Sequence, residues 1–190
     1  MRNPTHLLAR ALIAFLFASL PAQAATVSGV VGLDLSGGGK GNSNGVNYGP
    51  QNTAGPLLGL EISQRNNPAT EVGIFYDHNI FRSYADGSGQ NVTGFAFDYG
   101  IVVRLGLALE NRLFIEGKVG AMDTMAGQAS SHGPLTMYGI GFGYRIPVTE
   151  KLDISPRIAS RSSGNFNIAG GGLSVSSSFV DIDAMVSYSF

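Results

Sequence analysis

Apolar residues recur at every second position along this chain, in a series of segments of about ten residues. The phase holds longest from Phe95 to Leu107, where Phe95, Phe97, Tyr99, Ile101, Val103, Leu105 and Leu107 oppose Ala96, Asp98, Gly100, Val102, Arg104 and Gly106. Successive side chains of a strand point to opposite faces, so this period predicts a ribbon with one greasy and one polar side. The same pattern predicts strands over Thr26–Leu35, Pro56–Arg65, Thr70–Phe81, Leu113–Met122, Thr136–Ile146 and Leu152–Arg161. In the last segment Val180, Ile182, Ala184, Val186, Tyr188 and Phe190 alternate mostly with Asp181, Asp183, Ser187 and Ser189. About eight such segments result, each near the length a tilted strand needs to cross a bilayer. Pro156 interrupts the seventh and is tolerable at a bulge or strand end. Together with the Ser174–Ser178 run it leaves a count of ten open.

The links between segments alternate in length. Asn66–Ala69, Glu110–Arg112 and Pro147–Lys151 are tight and polar, whereas Ser36–Gly55, Tyr84–Asn91, Asp123–Gly133 and Ser162–Gly172 are longer and rich in Gly, Ser and Asn. A soluble sandwich does not require that order, but an up-and-down barrel with short turns at one end and long loops at the other does. With an even number of strands both chain ends fall on the side of the short turns.

Residues 1–24 carry the marks of a secretory leader: Arg2 and Arg10, the apolar stretch Leu12–Leu20, and the small-x-small site Ala22-Gln23-Ala24. Cleavage is expected before Ala25. The stretch is too short for a membrane-spanning helix, so if the exported chain, residues 25–190, lives in a membrane it does so as strands. Charged residues make up 13% of the chain, about half the usual share, and there is no cysteine. Neither a disulfide frame nor a thiolate metal site is therefore available. Loss of Arg2 and Arg10 with the leader takes the formal charge from −1 to about −3, which argues against nucleic acid as a partner.

Aromatics sit where interfacial girdles would want them: Tyr144, Tyr188 and Phe190 at the turn end, and Tyr76, Phe81, Phe95 and Phe97 toward the loop end. Leader, amphipathic strands, alternating links and a terminal Phe190 together resemble the small OmpA/OmpX-type outer-membrane barrels of Gram-negative bacteria. The resemblance is architectural and covers residues 25–190. It implies an all-β, closed, antiparallel transmembrane barrel in contact with outer-membrane lipid and lipopolysaccharide, monomeric and without a cofactor. It also implies that Tyr188 and Phe190 form the signal read by the outer-membrane assembly machinery.

An eight-stranded barrel is just filled by its own side chains, which weighs against a general porin. The inward phase carries Glu61, Glu71, Asp77, Asp98, Glu116, Asp153, Asp181 and Asp183 beside Arg65, Arg104, Lys118, Arg145, Arg157 and Arg161. Charges at that density are expected to pair across the lumen, because an unpaired buried ion costs several kcal/mol. Gly139, Gly141 and Gly143 are expected to make room for the long cationic side chains. The work implied is structural or interactive, through the loops; a narrow channel or a carrier of small hydrophobic molecules is the alternative.

A lipid A or phospholipid hydrolase would need Ser, His and a carboxylate in register. Residues 25–190 offer only His78 and His132. Asp77 and His78 are adjacent and should face opposite ways, while Ser130-Ser131-His132 lies in a Gly/Ser-rich link. Catalysis is not expected. Gly37–Gly41 resembles a phosphate-cradling loop in composition alone, with no following helix, and reads as mobile loop. Asn165–Ile168 exposes two apolar residues at an expected loop tip.

Overall fold

All eight alternating segments are strands in the computed structural model, which describes residues 25–43, 46–48, 55–85, 90–126, 129–130, 135–163, 166–167 and 174–190. The expected leader, residues 1–24, and His132 lie outside the described residues. The strands are β1 (Ala25–Ser43), β2 (Gly55–Asn67), β3 (Thr70–Ala85), β4 (Gln90–Ala108), β5 (Leu113–Ala126), β6 (Leu135–Tyr144), β7 (Leu152–Ser163) and β8 (Ser174–Ser189). Each pairs antiparallel with its neighbours in sequence, and β8 also pairs with β1 from Thr26↔Ser189 to Asn42↔Ser174, so the sheet closes on itself. The count is eight, not ten: the Ser174–Ser178 run belongs to the same strand as the terminal segment. Closure removes every free sheet edge, the condition under which strands can sit in hydrocarbon.

Most strands run further toward the loop end than alternation predicts. β1 continues to Ser43 with Gly37–Gly41 paired against Phe179–Val175, so this glycine run is ladder backbone and not the mobile loop expected from its composition. Glycine erases the apolar-polar alternation without preventing backbone pairing, which is why the extension is invisible to periodicity. Short paired segments at Val46–Tyr48, Ala129–Ser130 and Phe166–Asn167 add to the sheet beyond the rim.

The tight turns are built from their own polar residues. The Asn67 side chain accepts from the Ala69 amide at 2.9 Å, and Thr149 Oγ1 accepts from the Lys151 and Leu152 amides at 3.2 and 3.0 Å. Both are side-chain mimics of backbone turns. The link after β4 is different: Leu109, Glu110 and Asn111 adopt φ of +53°, +58° and +65°, a left-handed turn of three side-chain-bearing residues. Each carries a steric cost of about 1–2 kcal/mol relative to the right-handed form.

Pro156 interrupts one ladder, as its missing N–H requires. The β6–β7 pairing lapses between Gly143↔Arg157 and Ile146↔Ile154, while on the other side Pro156 still faces Ala184 of β8.

Side chains sort by parity. Outside, Val31, Leu33, Leu58, Leu60, Val119, Ile140, Phe142, Ile158 and Ile182 are each roughly half exposed and follow one another around the wall. A contiguous apolar belt of that extent exceeds what the surface of a soluble monomer carries. Inside lie the charges, together with two apolar clusters, one of Phe75, Ala96, Val102, Met122, Met137 and Phe179 and one of Val30, Leu57 and Met185.

Candidate functional site: the charged lumen

Alternation sends every second residue of each strand inward, so acids and bases far apart in sequence meet on the axis. Four cations organise the buried charge. Arg104 donates from Nη1 to Glu71 at 2.7 Å, from Nε to Glu116 at 2.6 Å and from Nη2 to Glu61. Arg157 donates from Nε to Asp183 at 2.6 Å and from Nη1 to Glu61 and Glu116 at 3.0 and 2.9 Å. Lys118 Nζ lies 2.7 Å from Asp77, 3.4 Å from Glu61 and 3.8 Å from Glu116.

Among the described residues Arg161 is the buried cation nearer the loop end. Its Nε and Nη2 bond both oxygens of Asp181 at 2.6 and 2.8 Å, Nη2 also reaches Asp34 at 2.9 Å and the Asn79 oxygen at 3.0 Å, and Nη1 bonds Asp98. Its guanidinium lies over the Phe179 ring, 5.4 Å from the centroid. Fork-shaped donors answering several carboxylates at once are what the planar guanidinium does best.

Toward the turn end, Glu71 is the shared partner. Its Oε1 accepts from Ser63 and Arg104, both at 2.7 Å, and its Oε2 from Arg145 Nη2 at 2.8 Å. Arg65 approaches Glu71 and Asp153 only to 3.8 and 3.9 Å. A shallow recess with room for about one water molecule opens here, lined among others by Arg65, Thr70, Glu71, Arg104, Phe114 and Arg145.

Each expected lumen residue is thus placed. Glu61, Glu71, Asp98, Arg104, Glu116, Lys118, Arg157, Asp181 and Asp183 are buried inside the wall, and Arg145 is half-buried at its turn end. Glu61, Glu71, Glu116 and Asp183 share one linked set with Arg104, Arg145, Arg157 and Lys118, while Asp98 and Asp181 belong to the Arg161 group. Among the described residues eight buried carboxylates (Asp34, Glu61, Glu71, Asp77, Asp98, Glu116, Asp181 and Asp183) face four buried cations. Oxygens of Asp34, Asp77 and Asp98 have no hydrogen-bond donor. No group of three His, Asp or Glu stands in position to hold a metal ion among the described residues.

Periodicity missed part of the inner set. Asn79, which bonds both Arg161 and Asp98, went unremarked, as did the apolar fillers Phe75, Phe114, Phe179 and Met185. The signal was parity: Phe114 stands two residues from Glu116, Phe179 two from Asp181 and Met185 two from Asp183. The glycine expectation holds for one position and is corrected at two. A Cβ on Gly139 would meet Arg161 Cγ at 3.2 Å and Lys118 Cβ at 3.6 Å, but on Gly143 it would strike the Phe114 ring and on Gly141 it would meet Ala159 at 3.1 Å. The room at Gly143 serves an aromatic ring, over which the guanidinium carbons of Arg145 and Arg104 lie at 5.5 and 5.9 Å from the centroid.

On the outer wall, His78 packs on Phe97 with ring centroids 4.6 Å apart, while the neighbouring Asp77 points inward to Lys118. The two therefore do not meet. Tyr188 and Phe190 lie outside at the turn end in edge-to-face contact, centroids 5.1 Å apart, with Phe190 70% exposed. Tyr76 and Phe95 are exposed toward the loop end; the Phe81 side chain lies outside the described residues.

No protein-family model and no curated protein matches this chain. Solved structures do. Neisserial surface protein A aligns over 88% of this chain and 97% of its own, with TM-score 0.57 and 13% identity. The outer membrane protein OprG from Pseudomonas aeruginosa aligns over 90% and 97%, with TM-score 0.51 and 10% identity. The outer membrane protein AlkL, solved in DMPC lipid bilayers, aligns over 88% and 90%, with TM-score 0.51 and 11% identity. The fold of this chain is that of the small outer-membrane β-barrels.

Proposed function

We propose that the chain resides in a bacterial outer membrane as a monomeric barrel with a closed lumen, and works as a structural and surface-interaction element through the long links at its loop end. Its apolar belt would meet lipid, the short turns would face the periplasm, and Tyr188 and Phe190 would serve as the assembly signal. The observation that carries the closed lumen is the burial of its inner side chains: Arg104, Arg157 and Arg161 are at most 4% exposed, each held by three carboxylates. Ions cannot pass where guanidinium and carboxylate groups already fill the axis, and breaking such pairs to open a path costs several kcal/mol. The test is single-channel recording of the refolded barrel in planar bilayers. Silence is expected; regular conductance steps that vanish in Arg161→Met would instead favour a narrow channel. The outward stack of His78 on Phe97 supports a non-catalytic reading, and lipase activity lost in His78→Ala would overturn it.

A further inference from the structure

We propose that the facing carboxyls of Asp34 and Asp181, in the loop-end half of the lumen, share one resident proton carried on Asp34. The case rests on a count of donors. Asp34 of β1 and Asp181 of β8 stand directly opposite in register, and their carboxyls come within hydrogen-bond reach of each other. Two carboxylates are acceptors only and cannot bond to one another without a proton, and like charges directly opposite destabilise a sheet.

Arg161 does not supply what is missing. Its Nη2 carries two hydrogens but faces three oxygens, those of Asp34, Asp181 and Asn79 at 2.9, 2.8 and 3.0 Å. Asp181 has a second N–H, from Nε at 2.6 Å, and Asp98 has both Nη1 and the Asn79 amide. Asp34 is left with a share of Nη2 at Oδ1, while its Oδ2 is shut off from water and has no donor. The whole side chain is buried.

Charge points the same way. Among the described residues Asp34, Asp98 and Asp181 form ion pairs with Arg161 alone, and Arg161 with them alone, a closed set with two negative charges in surplus. The linked set toward the turn end has no cation to lend, since five cations there face six carboxylates. The nearest of those groups are Lys118 of β5 and its partner Asp77 of β3, and β2 sets only Gly55 opposite Asp34. No group of three His, Asp or Glu among the described residues is in position to hold a metal ion. A dry carboxyl short of donors neutralises rather than remain charged. With a proton on Oδ2, Asp34 donates to Asp181 and keeps Arg161 at Oδ1, so this half of the lumen is tied by a guanidinium and a proton together. The inference stands on the lumen and is independent of what the loops bind.

The experiment is infrared spectroscopy of the refolded barrel in detergent at neutral pH, with ¹³C-labelled aspartate carboxyls, in H₂O and in D₂O. A protonated-carboxyl band that moves on deuteration is expected. Asp34→Asn should remove one carboxyl's worth of its intensity while heat-modifiable mobility on gels is kept. Asp181→Asn should remove it too, because the new amide replaces the proton as donor to Asp34, and Asp183→Asn should leave it unchanged. Carboxylate bands alone in the unaltered barrel, or a protonated band that survives Asp34→Asn at full intensity, overturns the proposal. So do carboxylate bands that move when sodium is exchanged for a bulky organic cation, which would assign the surplus to a bound metal ion.

Discussion

At the turn end three guanidiniums converge on one carboxylate, Glu71; toward the loop end three carboxylates converge on one guanidinium, Arg161. The two arrangements are near mirror images in charge but not in redundancy. If Arg104 is lost, Glu61 and Glu116 keep Arg157 and Lys118, and Glu71 keeps Arg145. If Arg161 is lost, Asp34, Asp98 and Asp181 keep none of the cations that pair with them among the described residues. A buried charge network is therefore only as robust as the number of alternative partners each member has, whatever the quality of any single bond.

Unfolding free energies from denaturant titration in lipid vesicles can break that comparison. The largest effect expected is for Arg161→Met, which strands three buried carboxylates and should cost about 3–5 kcal/mol. Arg104→Met should cost less, near the lower end of about 3 kcal/mol, because its partners have other cations; equal losses for the two variants would refute the redundancy argument. Gly143→Ala displaces the Phe114 ring from under the turn-end arginines and should cost about 1–3 kcal/mol as overpacking. Asp34→Asn removes one acid from the surplus side at nearly constant shape and should raise stability by about 1 kcal/mol, whereas the same change at Glu71 should lower it. Arg65→Gln should change stability by less than about 1 kcal/mol, since the side chain is 36% exposed and its pairs are long.

The fold was legible because its solvent rule is simple. A strand that faces lipid on one side and a filled lumen on the other cannot lose phase, so Phe95–Leu107 and Val180–Phe190 announce both the ribbon and its two faces. The buried charges followed from the same parity, and Arg104, Lys118 and Arg157 could be assigned to the lumen from the sequence. Their partners could not be assigned. Which acid meets which base depends on strand tilt and register, as when Arg104 pairs across the wall with Glu116 on one side and beyond Glu71 to Glu61 on the other. The glycine-rich extension of β1 escaped because glycine has no polarity to alternate. Arg65 and its recess escaped because an unpaired donor is a property of distances.

Pro156 gives the cylinder a seam. Around the described circumference the other strand pairs are broken by no more than a one-residue bulge, as at Leu35, Asn66 and Leu107, whereas β6 and β7 part beside this residue, between Gly143↔Arg157 and Ile146↔Ile154. A force or a detergent that splits the wall should start its tear there, running toward the turns first because that side is held only by two rungs, at Ile146 and Pro147, and the turn bonds from the Val148 and Thr149 amides to the Leu152 carbonyl.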